Sequence, residues 1–273
     1  MELLQKPGLR NTVTNKAQEV GLKMFRLDQK VALITGAAAG IGAGIAAAFA
    51  RQGADVAISG RTFSKLEQTR NEVSLYGRKV FCVEMDVTDT TQVKKGVSAV
   101  EKEFGRIDIL INNAGINHPA PGLDVTEENW DLQFNTNVKG GFFLAQCVAS
   151  IMMRHNWGRI IWISSQSGLV AIPGQPAYCS TKGAVIQLVR TLGVEWAKSG
   201  ITVNSIAPTF IETALTKKRL ENPEYRSYVL GKIPSGKLAK VEDVSAAAVF
   251  LASEEAGMVN CHTLCVDGGW TAW

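Results

Sequence analysis

Tyr178 and Lys182 stand four residues apart in Ala177-Tyr178-Cys179-Ser180-Thr181-Lys182, a spacing that sets both side chains on one face of a helix. A phenol ordinarily titrates at about pH 10, too high for proton exchange at neutral pH, whereas an adjacent ammonium stabilises the phenolate and lowers that value. The pair therefore reads as a general acid–base group suited to interconverting an alcohol and a ketone. Such a pair also recurs in plain helices, so its weight comes from what surrounds it. Upstream, the run Arg159-Ile160-Ile161-Trp162-Ile163 ends in Ser164-Ser165, with Ser167 close behind. A serine here can hold a substrate oxygen against the phenol. Each of the three can equally cap the following turn, and spacing alone does not choose among them.

A second constellation lies near the start. Thr35-Gly36-Ala37-Ala38-Ala39-Gly40-Ile41-Gly42 follows an apolar run and opens a helical one. Gly36 permits a tight turn, Gly40 lets backbone N–H groups approach a pyrophosphate, and Gly42 allows close packing of the helix. The helix N-terminus then faces the anion with its partial positive charge. The spacing is GxxxGxG, and the strand before it and helix after it give it meaning. At the end of the second apolar run a carboxylate would read the adenosine ribose. The chain instead has Ser59-Gly60-Arg61-Thr62, where Arg61 can pair with a 2′-phosphate. NADP(H) is favoured, with NAD(H) as the alternative if Arg61 is only a surface charge or stacks on adenine.

These residues need a scaffold, and the chain supplies one. Short apolar runs fall at 30–35, 55–60, 79–85, 106–112, 159–164, 201–207 and 262–267. Helix-length segments such as Ile45–Arg51, Phe63–Tyr76, Thr91–Phe104 and Ala177–Trp196 lie between them. The alternation predicts a doubly wound α/β fold: a seven-stranded parallel sheet of Rossmann type, helices on both faces. No linker splits the chain, so residues 27–273 are expected to form one domain behind an N-terminal extension, 1–26. The charged stretch 208–240 reads as a helical excursion at the ligand edge, where such folds build substrate pockets. Its alternative is a solvated helical pair.

Composition narrows the class of function. The 273 residues are 46% hydrophobic and 20% charged, the balance of a globular protein with ample core material. No apolar run reaches the length of a membrane span. A net charge of +4, scattered along the chain, does not argue for nucleic acid. Five cysteines without CxxC spacing, and three histidines that do not cluster with them, predict no metal site and no disulfide framework. His262 beside Cys261 reads as core packing. The first 26 residues lack the apolar segment of a secretory signal, and a cytoplasmic location is expected.

At this point the chain resembles the short-chain dehydrogenase/reductase family of NAD(P)(H)-dependent oxidoreductases. The residues that carry the likeness are Thr35–Gly42, Asp86, Asn112-Asn113-Ala114-Gly115, Asn137, Ser165, Tyr178 with Lys182, and Asp267-Gly268-Gly269. The resemblance implies a tetrad. Tyr178 is the acid–base, Lys182 its tuner and a ligand of the nicotinamide ribose, Ser165 the residue that orients the substrate oxygen, and Asn137 the holder of a relay water. It also implies cofactor contacts from Gly36, Ala39, Gly40, Ile41, Gly42 and Arg61, from Asp86 and Val87 near adenine, from Asn113, Ala114 and Gly115 along the adenosine ribose side, and from Pro208 and Thr213. Hydride exchange at the nicotinamide C4 accompanies proton transfer through Tyr178.

Three departures stand out. Pro208-Thr209 replaces the family's usual Pro-Gly, no basic residue enters the glycine loop, and Asn260-Cys261 replaces its Thr-Gly. By position, His118, Pro119, Gln166, Gln175 and the run Phe210–Leu215 are candidates for the substrate pocket. Their mixed polarity favours a hydroxylated substrate, and the chain resembles the branch of sugar, sugar-acid and polyol dehydrogenases. Reductases of 3-oxoacyl thioesters or cyclic ketones are the alternatives within the enzyme class, and Lys217-Lys218-Arg219 could then meet an acidic carrier. A non-catalytic dinucleotide sensor is the alternative outside it. The family resemblance also implies a homotetramer, with Trp270 and Trp273 reaching a neighbouring pocket or simply packing at an interface.

Overall fold

The computed structural model describes residues 24–213 and 216–272. The N-terminal residues 1–23, the pocket candidates Ala214 and Leu215, and Trp273 lie outside the described residues.

The chain alternates strand and helix in this order: β1 Val31–Thr35, α1 Gly40–Arg51, β2 Asp55–Gly60, α2 Phe63–Ser74, β3 Val80–Glu84, α3 Thr90–Phe104 and β4 Ile109–Asn112. Then come α4 Glu127–Phe134, a π-helical turn Asn135–Gly140, α5 Gly141–Arg154, β5 Gly158–Ile163, α6 Pro176–Trp196 and β6 Ile201–Pro208. Two short helices, α7 Lys217–Leu220 and α8 Pro223–Lys232, precede α9 Val241–Ala252 and β7 Thr263–Val266. All seven expected strands form. The first helix starts earlier than its apolar periodicity suggested, because Gly40 and Gly42 belong to it.

The strands pair in parallel in the order β3-β2-β1-β4-β5-β6-β7. Chain direction across the sheet reverses between β1 and β4, and the crevice at their carboxyl ends is where doubly wound folds take ligands. Side chains of β1, β4, β5 and β6 are buried on both faces, hence the near-continuous apolar runs. On one face Ile34, Ile58, Ile111 and Ile161 pack with Ile45 and Phe49 of α1 and Val244 and Ala248 of α9. On the other, Leu33, Leu110 and Ile160 pack with Val97 of α3, Leu144 and Val148 of α5 and Val185 and Val189 of α6. A smaller third cluster joins Ile172, Leu220, Val229, Ile233 and Trp270 above the sheet's carboxyl edge.

Among the described residues no helix is long and apolar enough to cross a membrane, and no group of potential metal ligands gathers.

Candidate active site

A cleft of about 300 Å³ opens at the carboxyl ends of β1, β4, β5 and β6. The first turn of α1 forms its floor on one side. Gly36 and Gly40 both hold φ of +62°, a left-handed conformation that suits glycine. A Cβ on Gly42 would stand 2.6 Å from the Gly36 carbonyl oxygen, so the loop closes on the helix only because that position is bare. Ala39, at the N-cap, provides no side-chain cap, and the first turn of α1 contains no acidic residue. Backbone N–H groups at this end of the helix therefore face the cleft without a competing carboxylate, an arrangement made for an anion.

Gly36, Ala39, Gly40 and Ile41 line the cleft together with Asn113, Ala114, Gly115, Pro208 and Thr213. Asn113 does so with its carboxamide already engaged, donating to the carbonyls of Thr35 at 2.8 Å and Gly36 at 3.1 Å. It ties the β4 loop to the glycine loop, its own N–H held by Thr35 Oγ1 at 3.1 Å, which leaves its main-chain carbonyl for any ligand. Gly42 lies behind the loop. Arg61, Asp86 and Val87 stand outside this cleft, at the ends of β2 and β3, where Arg61 is exposed and Asp86 accepts from the Thr88 amide at 2.9 Å. Thr209, where glycine is usual, adopts no left-handed backbone and is buried, with its hydroxyl unpartnered.

The opposite wall carries Ser164, Ser165, Tyr178 and Lys182. The fold separates the serines that sequence left ambiguous. Ser164 donates to the Lys182 carbonyl at 3.1 Å, whereas the Ser165 hydroxyl lies beside the Tyr178 phenol in the cleft lining. Ser165 also caps the turn that follows it, accepting the Ser167 amide at 3.1 Å. Lys182 is buried; its Nζ donates to the Ile163 carbonyl at 2.8 Å and lies 5.5 Å from the centre of the Tyr178 ring. Its two remaining donors stay available to a ligand in the cleft.

Electrostatics here run against the expectation that the lysine lowers the phenol's pKa. Burial pushes Tyr178 up to about 12, the neighbouring Ser165 hydroxyl only partly opposing it. Burial likewise brings Lys182 down to about 8. Desolvation dominates because the charged form of each group loses water in the same pocket. At neutral pH the pair rests as phenol and ammonium.

Asn137 sits in the π-helical turn, buried, beneath this wall. Its Oδ1 accepts the Ile116 amide at 2.8 Å, and its Nδ2 donates to the Ile116 carbonyl at 2.9 Å and to Thr181 Oγ1 at 3.1 Å. The carboxamide is thus committed to the protein.

Of the expected substrate residues, Ser165, Ile211 and Thr213 line the cleft, whereas Gln166, His118, Phe210 and Gln175 are not part of its lining. Gln166 is buried with its Oε1 3.1 Å from Ser165 Oγ. His118 is exposed, its main chain pinned by Gln133 and Asn129. Phe210 stacks on Trp270, ring centres 5.7 Å apart, and meets Tyr225 edge-on. Trp270 is itself buried within its own chain, which places it in packing here. Gln175 is buried at the start of α6 and accepts from Asn117 Nδ2 at 2.6 Å, which leaves Gln175 Nε2 and Asn117 Oδ1 without partners. Sequence reading passed over Asn117, Ile116 and Thr181; the position of Asn117 two residues beyond Gly115 was the available signal.

The chain is similar to known proteins over most of its length. A family model described as enoyl-(acyl carrier protein) reductase matches residues 36–271. The chain is 38% identical over 248 residues to the gluconate 5-dehydrogenase of Gluconobacter oxydans, covering 91% of this chain and 97% of that one. It is 39% identical over 245 residues to the 3-oxoacyl-[acyl-carrier-protein] reductase of Thermotoga maritima, covering 90% and 99%. A crystal structure of a gluconate 5-dehydrogenase from Burkholderia cenocepacia, in complex with NADP and tartrate, superposes with a TM-score of 0.90 at 35% identity, over 93% of this chain and 99% of that one. With likeness of this extent in sequence and in fold, the chain belongs to the short-chain dehydrogenase/reductase family of NAD(P)-dependent oxidoreductases.

Proposed function

We propose that the protein interconverts a secondary alcohol and its ketone, with Tyr178 as acid–base, NADP(H) as the preferred cofactor and a hydroxylated small molecule as substrate. The observation that carries this reading is that Tyr178, Ser165 and buried Lys182 line one cleft together with an uncapped helix N-terminus. The residues fit a dinucleotide: glycine-only backbone at Gly36 and Gly40, no acid in the first turn of α1, and two lysine donors to spare. The chemistry such a cofactor supplies when bound is reversible hydride exchange with the carbinol carbon.

Everything else falls to the chain. The turn at Gly36–Ile41 would hold the pyrophosphate, Lys182 a ribose hydroxyl, and Arg61 a 2′-phosphate. Ser165 would fix the substrate oxygen against the phenol. In reduction Tyr178 gives its proton to that oxygen as the carbonyl becomes an alcohol; in oxidation the phenolate takes the proton back. Asn137 would act by position, fixing Ile116 and the floor of the cleft. The likeness to gluconate 5-dehydrogenases supports a substrate bearing hydroxyl groups.

Exposed Lys217 and Lys218, and the likeness to a 3-oxoacyl reductase, favour a second reading in which the substrate is a carrier-bound thioester. Both readings share the carbonyl-reductase chemistry. All five cysteines are free thiols, which suits a reducing compartment such as the cytoplasm. Exposed Trp130, Leu132 and Val194 suit burial between subunits of a homotetramer, which light scattering would test.

Initial rates over sugars, sugar acids, polyols, cyclic ketones and 3-oxoacyl thioesters, with each dinucleotide in parallel, test the proposal. Turnover that vanishes in Tyr178→Phe is the expected result. Tight dinucleotide binding without turnover on any compound would move the reading to a sensor.

A further inference from the structure

The choice between the two dinucleotides is made where the second strand ends, because the adenosine ribose and any 2′-phosphate lie there. β2 itself ends in Gly60 and brings no carboxylate. Its neighbour does. The parallel register pairs Gly60 with Glu84, the last residue of β3. The Glu84 side chain is also held in place: Oε2 accepts the backbone N–H of Phe63, the first residue of α2, at 3.1 Å. Thr62, the N-cap, makes no side-chain bond of its own, so the cap comes from Glu84 across the strand gap. A carboxylate is therefore fixed against the turn Gly60–Phe63 that also carries Arg61. Arg61 and Glu84 are both exposed, and neither enters an ion pair among the described residues.

We propose that Glu84 is a specificity-determining residue for the cofactor, its carboxylate opposing a 2′-phosphate that Arg61 attracts, so that the preference for NADP(H) is narrow and NAD(H) is accepted as well. The inference rests on the dinucleotide reading given above. Opposite charges at one turn partly cancel in their effect on an added phosphate dianion. At a water-exposed site each charge alters the affinity for that dianion by about three- to tenfold, and salt screens the effect. A cap that served only the helix would act on stability and leave the discrimination between nucleotides untouched.

Calorimetric titration of the full chain with adenosine 2′,5′-bisphosphate and with 5′-AMP isolates the discrimination from catalysis. In the wild type the two affinities should lie within about tenfold of each other. Glu84→Gln keeps an oxygen for the Phe63 amide and loses only the charge. It should raise the ratio of bisphosphate to AMP affinity by about three- to tenfold, with the gain shrinking at high salt. Arg61→Ala should lower the same ratio by a comparable factor. If Glu84→Gln proves unstable, Glu84→Ala, with folding checked by thermal melting, gives the same readout. A ratio unmoved by either Glu84 variant, or moved equally at low and high salt, would overturn the inference while leaving the dinucleotide reading intact. Binding of neither nucleotide would overturn both.

Discussion

The carboxamide of Asn137 grips the main chain of Ile116 from both sides, accepting its N–H at 2.8 Å and donating to its carbonyl at 2.9 Å. Ile116 follows Gly115, and both line the cleft opposite Lys182. The π-helical turn at Asn135–Gly140 brings a residue of the long connection after β4 back to the start of that connection. A π turn inside a helical stretch commonly marks such a constraint.

Asn137→Ala should therefore damage activity and fold together. Three hydrogen bonds are lost, and the Ile116 amide and carbonyl are left to find water. A cost of ~2–4 kcal/mol in stability is expected. Turnover should fall by about ten- to a hundredfold as the wall carrying Gly115 loosens, since small misplacements in a cleft of this kind are costly. Thermal melting and initial rates on the same preparation check both.

The pKa pattern predicts opposite pH behaviour for the two directions of reaction. Tyr178, pushed up to about 12, is a phenol throughout the neutral range, ready to donate. Ketone reduction should be nearly flat from pH 6 to about pH 8, whereas alcohol oxidation, which needs the proton removed, should climb steadily with pH. Paired pH–rate profiles decide this, and an oxidation rate already level at about pH 6 would contradict the assignment.

Lys182 yields a stability prediction with a definite sign. Its folded value of about 8 lies below the 10.5 of an unperturbed lysine. Between those two values the unfolded chain binds a proton that the folded chain does not, so stability rises as pH climbs through that window. Below about pH 8 both states carry the proton, and the folded state bears the full cost of the buried charge. Lys182→Met should flatten the slope and raise stability at neutral pH, by at most ~3 kcal/mol, while abolishing turnover. Denaturant melts at several pH values measure the slope directly.

How much of this could be read from the sequence follows from what each feature depends on. The strands were legible because parallel strands buried on both faces must be continuously apolar, as in Val31–Thr35 and Ile201–Pro208. Gly36, Gly40 and Gly42 were legible because a turn of positive φ and a helix packed against it admit almost no other residue. The sign of the Tyr178 shift was not, since it is set by how deeply the fold buries the phenol, and spacing to Lys182 says nothing of depth. Ser164 and Ser165 differ only by which side of β5's end they leave from. Phe210 sits at the right place in the chain for a pocket, yet its ring is drawn away by Trp270 and Tyr225, which lie far from it in sequence.

Gly42→Ala tests the glycine loop. The added methyl would stand 2.6 Å from both the Gly36 carbonyl oxygen and the Asn113 carboxamide nitrogen. Backbone cannot yield cheaply, so overpacking of ~1–3 kcal/mol is expected. The displaced loop should weaken dinucleotide binding by more than tenfold, read by calorimetry on folded protein.

Cys261 supplies the last test, away from the cleft. It precedes the amino end of β7 with φ of +59°, a left-handed conformation that costs a side-chain-bearing residue roughly 1–2 kcal/mol. Its N–H is tied to the Val203 carbonyl at 2.9 Å and to Asn260 Oδ1 at 3.0 Å, and Asn260 in turn donates to Gly193, so the surrounding bonds hold the residue in that conformation. The family's glycine at this position would bear no such strain. Cys261→Gly should relieve it, offset by about 0.5–1 kcal/mol of added freedom in the unfolded chain. The net gain is then at most ~1 kcal/mol, a melting temperature higher by about 1–4 °C. Cys261→Ala keeps the Cβ, and with it the strain, and should show no gain. Because the residue lies at the end of the sheet away from the cleft, turnover should be unchanged in both variants. A Cys261→Gly protein that melts below wild type would mean that packing of the thiol against Gly193 outweighs the backbone strain.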